Sequence, residues 1–143
     1  MKVEQITVFL ENRSGRLADV ASLLADAGVN LRAAALADAA DFGILRLIVN
    51  DSEKARQVLK ANGFTVSKTH VVAVAVPDKP GGLAEILTAI KHAQLNVEYM
   101  YAFVHQRGVD ATIIFRFDDV DNAIVSLQKA GLRLLSGEQI YSI

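Results

Sequence analysis

The chain has 143 residues, room for one ordinary domain or two small ones, and 52% of them are hydrophobic, with a mean hydropathy of +0.28. A formal net charge of −1, a pI near 6.3 and the lack of any basic block argue against nucleic acid or an anionic membrane surface as partner. The absence of cysteine removes disulfides, thiolate nucleophiles and Cys-based metal sites, and it fits a reducing cytoplasm.

The start, Met1-Lys2-Val3-Glu4-Gln5, carries an acid where a signal peptide keeps only positive charge. From Gln5 to Leu10 apolar residues alternate, with Ile6, Val8 and Leu10 on one face, which predicts a strand. The polar turn Glu11-Asn12-Arg13-Ser14-Gly15-Arg16-Leu17 follows, and the period then changes. Leu17, Val20, Ala21, Leu24 and Ala27 fall on one helical stripe that Gly28 closes. Val29 to Ala37 reads as a second strand, Asp38 to Asp41 as a turn and Phe42 to Asn50 as a third strand. Asp51 or Ser52 caps a second helix running to Asn62, with Ala55, Val58 and Leu59 inward and Gly63 as its stop. Phe64 to Ser67 is a short fourth strand.

The pattern then begins again. Val71 to Val76 is the longest apolar run, six residues ending at Pro77, far short of the roughly 18 a membrane span needs. After the turn Pro77-Asp78-Lys79-Pro80-Gly81-Gly82-Leu83 comes a helix stripe of Leu83, Ile86, Leu87, Ile90 and Ala93. Strands over Val97 to Val104 and Val109 to Phe117, a helix over Asp119 to Ala130 and a strand over Leu132 to Leu135 complete the second copy. The tail, Glu138 to Ile143, has a strand-like pattern.

Sixty-six positions separate Gly15 from Gly81, Leu17 from Leu83 and Asn30 from Asn96, while 68 separate Gly63 from Gly131. A two-residue insertion therefore falls in the second hairpin, near Gln106-Arg107-Gly108. The sequence predicts an α+β fold of two ferredoxin-like βαββαβ sandwiches, residues 1–68 and 69–143, the second with an extra C-terminal strand. Helices cover one face of each antiparallel sheet. The other face is apolar too, with Phe9, Ala33, Ala35 and Ala37 in the first copy matched by Ala75, Tyr99, Tyr101 and Phe103 in the second. Either the two sheets meet or a second chain covers them, and a homodimer or larger homo-oligomer is expected.

Both turns lie between a strand and a helix start, where unpaired backbone N–H groups face outward and favour a small anion or an amino acid. The partial positive charge there favours a carboxylate, and a glycine at 15 or 81 removes the Cβ that would block its approach. The carboxamides of Asn12 and Asn30 each donate and accept, which suits a zwitterion. The bland reading is that Gly, Ser and Asp only shape a strand-to-helix turn.

These residues resemble the ACT domain family. The features are Asn12-Arg13-Ser14-Gly15-Arg16-Leu17 followed by Ala27-Gly28-Val29-Asn30, and Asp78-Lys79-Pro80-Gly81-Gly82-Leu83 followed by Ala93-Gln94-Leu95-Asn96-Val97. The whole is similar to tandem ACT proteins made of nothing else. The resemblance implies a non-catalytic regulatory protein whose effector site lies between ACT units, formed by the first loop of one and the second-strand start of a neighbour. By the resemblance the first copy contributes Asn12, Arg13, Ser14, Gly15, Arg16 and Leu17 with Asn30 and Leu31. The second contributes Asp78, Pro80, Gly81, Gly82 and Leu83 with Asn96 and Val97. Ser14 departs from the family's proline, and Asp78 stands where Asn12 does. A carboxylate there suits an ammonium and repels a ligand carboxylate, so the two sites need not be equivalent.

Arg13 and Arg16 could clamp a carboxylate, although solvated helix-start arginines look the same. Tyr99, Met100 and Tyr101 could line a side-chain pocket or pack an interface. Asp118, Asp119 and Asp121 are explained by capping and the helix dipole, and His70, His92 and His105 lack metal-site spacing. Gly81-Gly82-Leu83 lacks the Lys-Ser/Thr of a P-loop, and no positioned nucleophile or base is found, so neither cofactor, metal nor catalytic residue is expected. The predicted role is sensing of a free amino acid, signalled through changed pairing of ACT units or through a regulated enzyme or regulator. A ligand-free scaffold is the alternative. An RRM-like RNA binder needs central aromatics with basic neighbours, where the first copy offers alanines, and a ferredoxin-like enzyme lacks its chemistry.

Overall fold

The computed structural model describes every residue except Asn12, Ala39, Ala40, residues 105–109 and Ile143. The chain divides into two units, Glu4–Thr69 with Ser142, and His70–Tyr141 with Met1–Val3.

The first unit is built from β1 (Val3–Glu11), α1 (Arg16–Asp26), β2 (Leu31–Asp38), β3 (Phe42–Val49), α2 (Ser52–Ala61) and the opening residues of β4 (Thr65–Pro77). Its strands pair antiparallel in the order β2-β3-β1, with Val8 opposite Leu45 and Leu45 opposite Leu36. The alternation of β1 sends Ile6, Val8 and Leu10 to the face that α1 and α2 cover with Val20, Leu24, Ala55 and Leu59. Together with Leu45, Leu47 and Val49 these side chains form one buried cluster. Complete burial of a Leu or Ile side chain contributes about 1.5–3 kcal/mol, so this cluster is the main force holding the helices to the sheet. Gly28 ends the stretch after α1 at φ 74° and Gly63 the stretch after α2 at φ 85°, as their positions in the sequence predict. Leu17 and Ala21 are the exposed members of the helical stripe, and Leu17 is the large one. It is 47% exposed, because the core-facing line of α1 starts one turn later, at Val20.

The second unit repeats this plan. It has the remainder of β4, α3 (Gly82–His92), β5 (Val97–Val104), β6 (Asp110–Phe117), α4 (Val120–Lys129), β7 (Leu134–Leu135) and α5 (Gly137–Tyr141). β7 pairs β4, β4 pairs β6 and β6 pairs β5, all antiparallel. Val72, Val74, Val76, Ile86, Ile90, Phe115, Phe117 and Leu127 make its core, in which the rings of Phe115 and Phe117 stack 5.7 Å apart. Leu83 and Leu87 are each 37% exposed and, like Leu17, stand outside the core.

Three expectations are corrected. Phe64 to Ser67 and Val71 to Val76 are not separate strands but one, β4, because Thr65 to Val76 contains no Gly, Pro, Asn or Asp to break it. The strand of Leu132 to Leu135 shrinks to Leu134–Leu135. The tail is helical, not a strand. Ser136 and Gln139 form a reciprocal capping box, the Gln139 side chain accepting from the Ser136 N–H at 2.8 Å and the Ser136 hydroxyl from the Gln139 N–H at 3.3 Å. That box starts α5 and points Ile140 into full burial. The proposed insertion near Gln106 to Gly108 lies outside the described residues.

On the second sheet face the apolar residues are unevenly covered. Ala33 is buried, Phe9 is exposed and tilts against Phe42 at 6.0 Å, and Tyr99, Tyr101 and Phe103 are half-buried.

Candidate functional site

The two strand-to-helix turns are near copies. Gly15 sits at φ 88°, ψ −12° and Gly81 at φ 88°, ψ −13°, each as the N-cap of its helix and neither helix start receiving a side-chain cap hydrogen bond. The left-handed backbone explains glycine at both places, since a Cβ there costs about 1–2 kcal/mol. The hydrogen bonds repeat as well. The Arg13 N–H donates to Glu11 O at 2.8 Å, Arg16 N–H to Arg13 O at 3.4 Å and Asp19 N–H to Gly15 O at 2.9 Å. In the second turn Lys79 N–H donates to Pro77 O at 2.9 Å, Gly82 N–H to Lys79 O at 3.1 Å and Glu85 N–H to Gly81 O at 3.0 Å. No Cβ built at Gly15 or Gly81 meets an atom within 4 Å, so the space beside both is open.

A cleft of about 150 Å³ adjoins the first turn. Glu11, Arg13 and Arg16 form its polar rim, and Leu10, Leu17, Leu36 and Phe42 its apolar walls, with Gly43 beside them. The rim is loosely tied. Glu11 lies 3.8 Å from both the Arg13 and Arg16 guanidinium groups, contacts that water screens strongly. Arg16 is better held, 3.5 Å from Asp19 and with its guanidinium 4.2 Å from the centre of the Phe64 ring. Its Nε is buried without a hydrogen-bond partner.

A family model describing an ACT domain pair matches residues 1–142. The chain belongs to that family. The ACT pair is similar along its whole length to protein BT0572 from Bacteroides thetaiotaomicron, with 39% identity and a TM-score of 0.94 over 100% of this chain and 98% of that one. It shares its fold with the ligand-free regulatory subunit of aspartate kinase from Thermus thermophilus, at 18% identity and a TM-score of 0.61 over 89% and 91% of the two chains. The Thermus flavus subunit aligns similarly, at 16% identity and a TM-score of 0.59 over 90% and 92%. No curated protein matches the sequence.

Within each ACT unit the fold does not bring the two halves of the expected site together. Leu10 pairs Gly43 and Glu11 pairs Phe42, so the first turn leaves the sheet at the end where Asp38 pairs Gly43. Asn30 precedes Leu31, which pairs Val49 at the opposite end, about 20–25 Å away along β2. Asn30 is exposed, and its backbone is tied to Asn50, the Asn30 N–H donating to Asn50 Oδ1 at 2.9 Å and the Asn50 N–H to Asn30 O at 3.2 Å. The second unit has the same separation, Asn96 and Val97 lying by Phe117 while Pro77 pairs Asp110. Asp78, Lys79, Pro80, Gly81 and Leu83 are exposed, as are Arg13 and Ser14, and Asn12 lies outside the described residues.

Gly82 is unlike the residue it matches, Arg16. A Cβ at Gly82 would stand 2.3 Å from the Pro77 carbonyl oxygen and 3.2 Å from Val76 Cγ1, so α3 starts hard against the end of its strand. Leu36, Ala37, Phe42 and Gly43 of the cleft were not singled out by the motif. The available signal was Leu36 and Phe42, large apolar residues on either side of a polar turn. Asp119 caps α4 by accepting from the Asn122 N–H at 3.0 Å, and Asp121 pairs Lys2 at 3.0 Å. His70 and His92 are exposed, His105 lies outside the described residues, and among those described no cluster has a metal-binding arrangement.

Proposed function

We propose that this ACT pair is a non-catalytic amino-acid sensor that takes a free amino acid at its strand-to-helix turns. The observation that carries the reading is the duplicated uncapped helix start, with Gly15 and Gly81 in the same left-handed geometry and open space beside each. A ligand carboxylate at such a start accepts from first-turn N–H groups and meets the positive end of the helix dipole. Because Asn30 and Asn96 lie at the far ends of their sheets, their carboxamides reach a ligand only across a seam between neighbouring ACT units. A second copy of the chain supplies that seam if two β2 edges pair antiparallel, which sets Asn30 of one copy near the loop end of the other. A ligand touching two copies favours the paired state and shifts its population. The two ACT units occupy residues 1–142, so the signal is read by a partner protein or by a further domain.

The test is calorimetry of the full chain against the twenty amino acids, with Gly15→Val and Gly81→Val as loop variants and light scattering to follow assembly. At least one amino acid is expected to bind with a Kd below roughly 1 mM and to shift the oligomer, and the loop variants to lose that binding. Failure of all twenty to bind would remove the amino-acid sensor and leave a scaffold.

A further inference from the structure

We infer that the amino acid held at the first turn carries an apolar side chain, seated in the cleft that Leu10 and Leu17 form with Leu36 of β2 and Phe42 of β3. This rests on the amino-acid-binding reading above and adds the ligand's side-chain class.

The hollow of the cleft suits an apolar side chain, and its charged groups stand only at the rim. Its volume of about 150 Å³ equals that of an engineered apolar cavity able to hold a benzene molecule. Leucine, isoleucine, methionine and phenylalanine side chains fit such a space. The walls are Leu10, which is buried, and three large side chains left in water, Leu17 at 47%, Leu36 at 55% and Phe42 at 41% exposed. Three half-exposed apolar residues gathered about one hollow gain by having it filled, because each Å² removed from water contributes about 25 cal/mol. Glycine at 43 is part of this design. A Cβ there would stand 3.3 Å from Leu36 Cδ1, so any larger residue makes that wall give by a few tenths of an ångström.

The rim supplies what the backbone of an amino acid requires. Glu11 lies 3.8 Å from each of its arginines, a spacing that leaves its carboxylate oxygens able to take an ammonium group. Arg13 is the exposed arginine of the two and can turn toward a carboxylate, whereas Arg16 is fixed on Phe64 as a wall. A zwitterion with its ammonium on Glu11 and its carboxylate at the first-turn N–H groups of α1, where Arg13 can also reach it, therefore directs its side chain down among the leucines. An aspartate or lysine side chain among Leu10, Leu17, Leu36 and Phe42 would give up hydration that these apolar walls do not replace.

Calorimetry of the full chain ranks the candidates. Leucine, isoleucine, methionine or phenylalanine is expected to bind at least tenfold more tightly than serine, aspartate or lysine, about 1.4 kcal/mol. Leu36→Asp, at a site more than half exposed, should weaken the best ligand at least tenfold, while Val125→Asp on α4 leaves it unchanged. Circular dichroism of both variants reads out folding, and the ranking on the unaltered chain decides the matter if Leu36→Asp does not fold. Preferred binding of a charged or hydroxylated side chain would overturn this inference alone, as would a folded Leu36→Asp chain that binds leucine normally. Absence of any amino-acid binding would overturn both this inference and the sensor reading.

Discussion

Helices α2 and α4 begin on an aspartate, whereas α1 and α3 begin on a glycine, and the four starts occupy alternate places in the repeat. At α2 the Asp51 carboxylate accepts from the Lys54 N–H at 3.1 Å, and at α4 Asp119 accepts from the Asn122 N–H at 3.0 Å. The start of α2 is tied down further. The Ser52 hydroxyl donates to the Glu4 carboxylate, and Glu53 accepts from Arg56 at 2.8 Å, a hydrogen bond that holds the Glu53 carboxyl below its ordinary pKa. At α1 and α3 the N-cap has no side chain to offer. The starts of α2 and α4, like that of α5, are thus finished by the chain's own side chains, while those of α1 and α3 receive no side-chain acceptor. Under the proposed function a ligand carboxylate at Gly15 would supply the acceptor that Asp51 supplies at α2, and the contrast would then separate a structural turn from a binding turn.

The largest test of this comparison sets the two open starts against each other. Gly82→Ala is expected to destabilise the protein by about 3 kcal/mol, at the upper end of ordinary overpacking, because its Cβ meets a backbone carbonyl that cannot rotate away. Arg16→Ala, at the matching position, should cost no more than about 1 kcal/mol, the value of a partly buried cation–π contact. Urea unfolding of the two variants measures the difference. Equal losses would mean that the starts of α1 and α3 are packed alike and that the first turn has no more freedom than the second.

The capped starts come next. Asp51→Ala and Asp119→Ala should each lose about 1 kcal/mol, the usual value of an N-cap, and neither should alter amino-acid binding. A loss of binding in either variant would erase the distinction between the two kinds of start.

Much of this arrangement was legible in the residues. Ile6, Val8 and Leu10, the change of period at the first turn and the glycines at 28 and 63 marked the strands, helices and stops, because alternation and positive φ leave direct signatures in side-chain choice. The 66-residue offset exposed the duplicated turns. Their geometry then proved alike to within a degree at Gly15 and Gly81. What stayed hidden depended on tertiary context. Leu17, Leu83 and Leu87 lie on the apolar stripes of their helices yet project past the core, since periodicity gives a direction around the helix and not the width of the sheet beneath it. The hairpin residues Leu36, Phe42 and Gly43 lie about twenty or more positions from the turn whose cleft they line, and no local pattern connects them. The helical tail was a different kind of miss. Ser136-Gly137-Glu138-Gln139 carries a capping box in plain sequence, yet Ile140, Tyr141 and Ile143 beside it suit a short strand as well as a helix.

The smallest expected effect concerns the far ends of the two open helices. The chain after α1 turns through Gly28 at φ 74°, while at the matching place after α3 it turns through Gln94 at φ 57°, the one non-glycine with positive φ among the described residues. The Gln94 N–H donates to Lys91 O at 3.0 Å and the Leu95 N–H to Ile90 O at 3.2 Å, bonds that Gly28 and Val29 repeat after α1. The hydrogen bonding therefore demands a left-handed residue at both positions, and glutamine meets that demand at a steric cost of about 1–2 kcal/mol. Gly at 94 removes this cost but adds freedom to the unfolded chain worth about 0.4–1 kcal/mol. The balance predicts that Gln94→Gly raises stability by about 0.8 kcal/mol, the difference between the midpoints of those two ranges, readable as a small increase in the denaturation midpoint at unchanged slope. A decrease would show that the glutamine side chain makes a compensating contact, and that the second helix is finished at its C-terminal end by a residue the first does without.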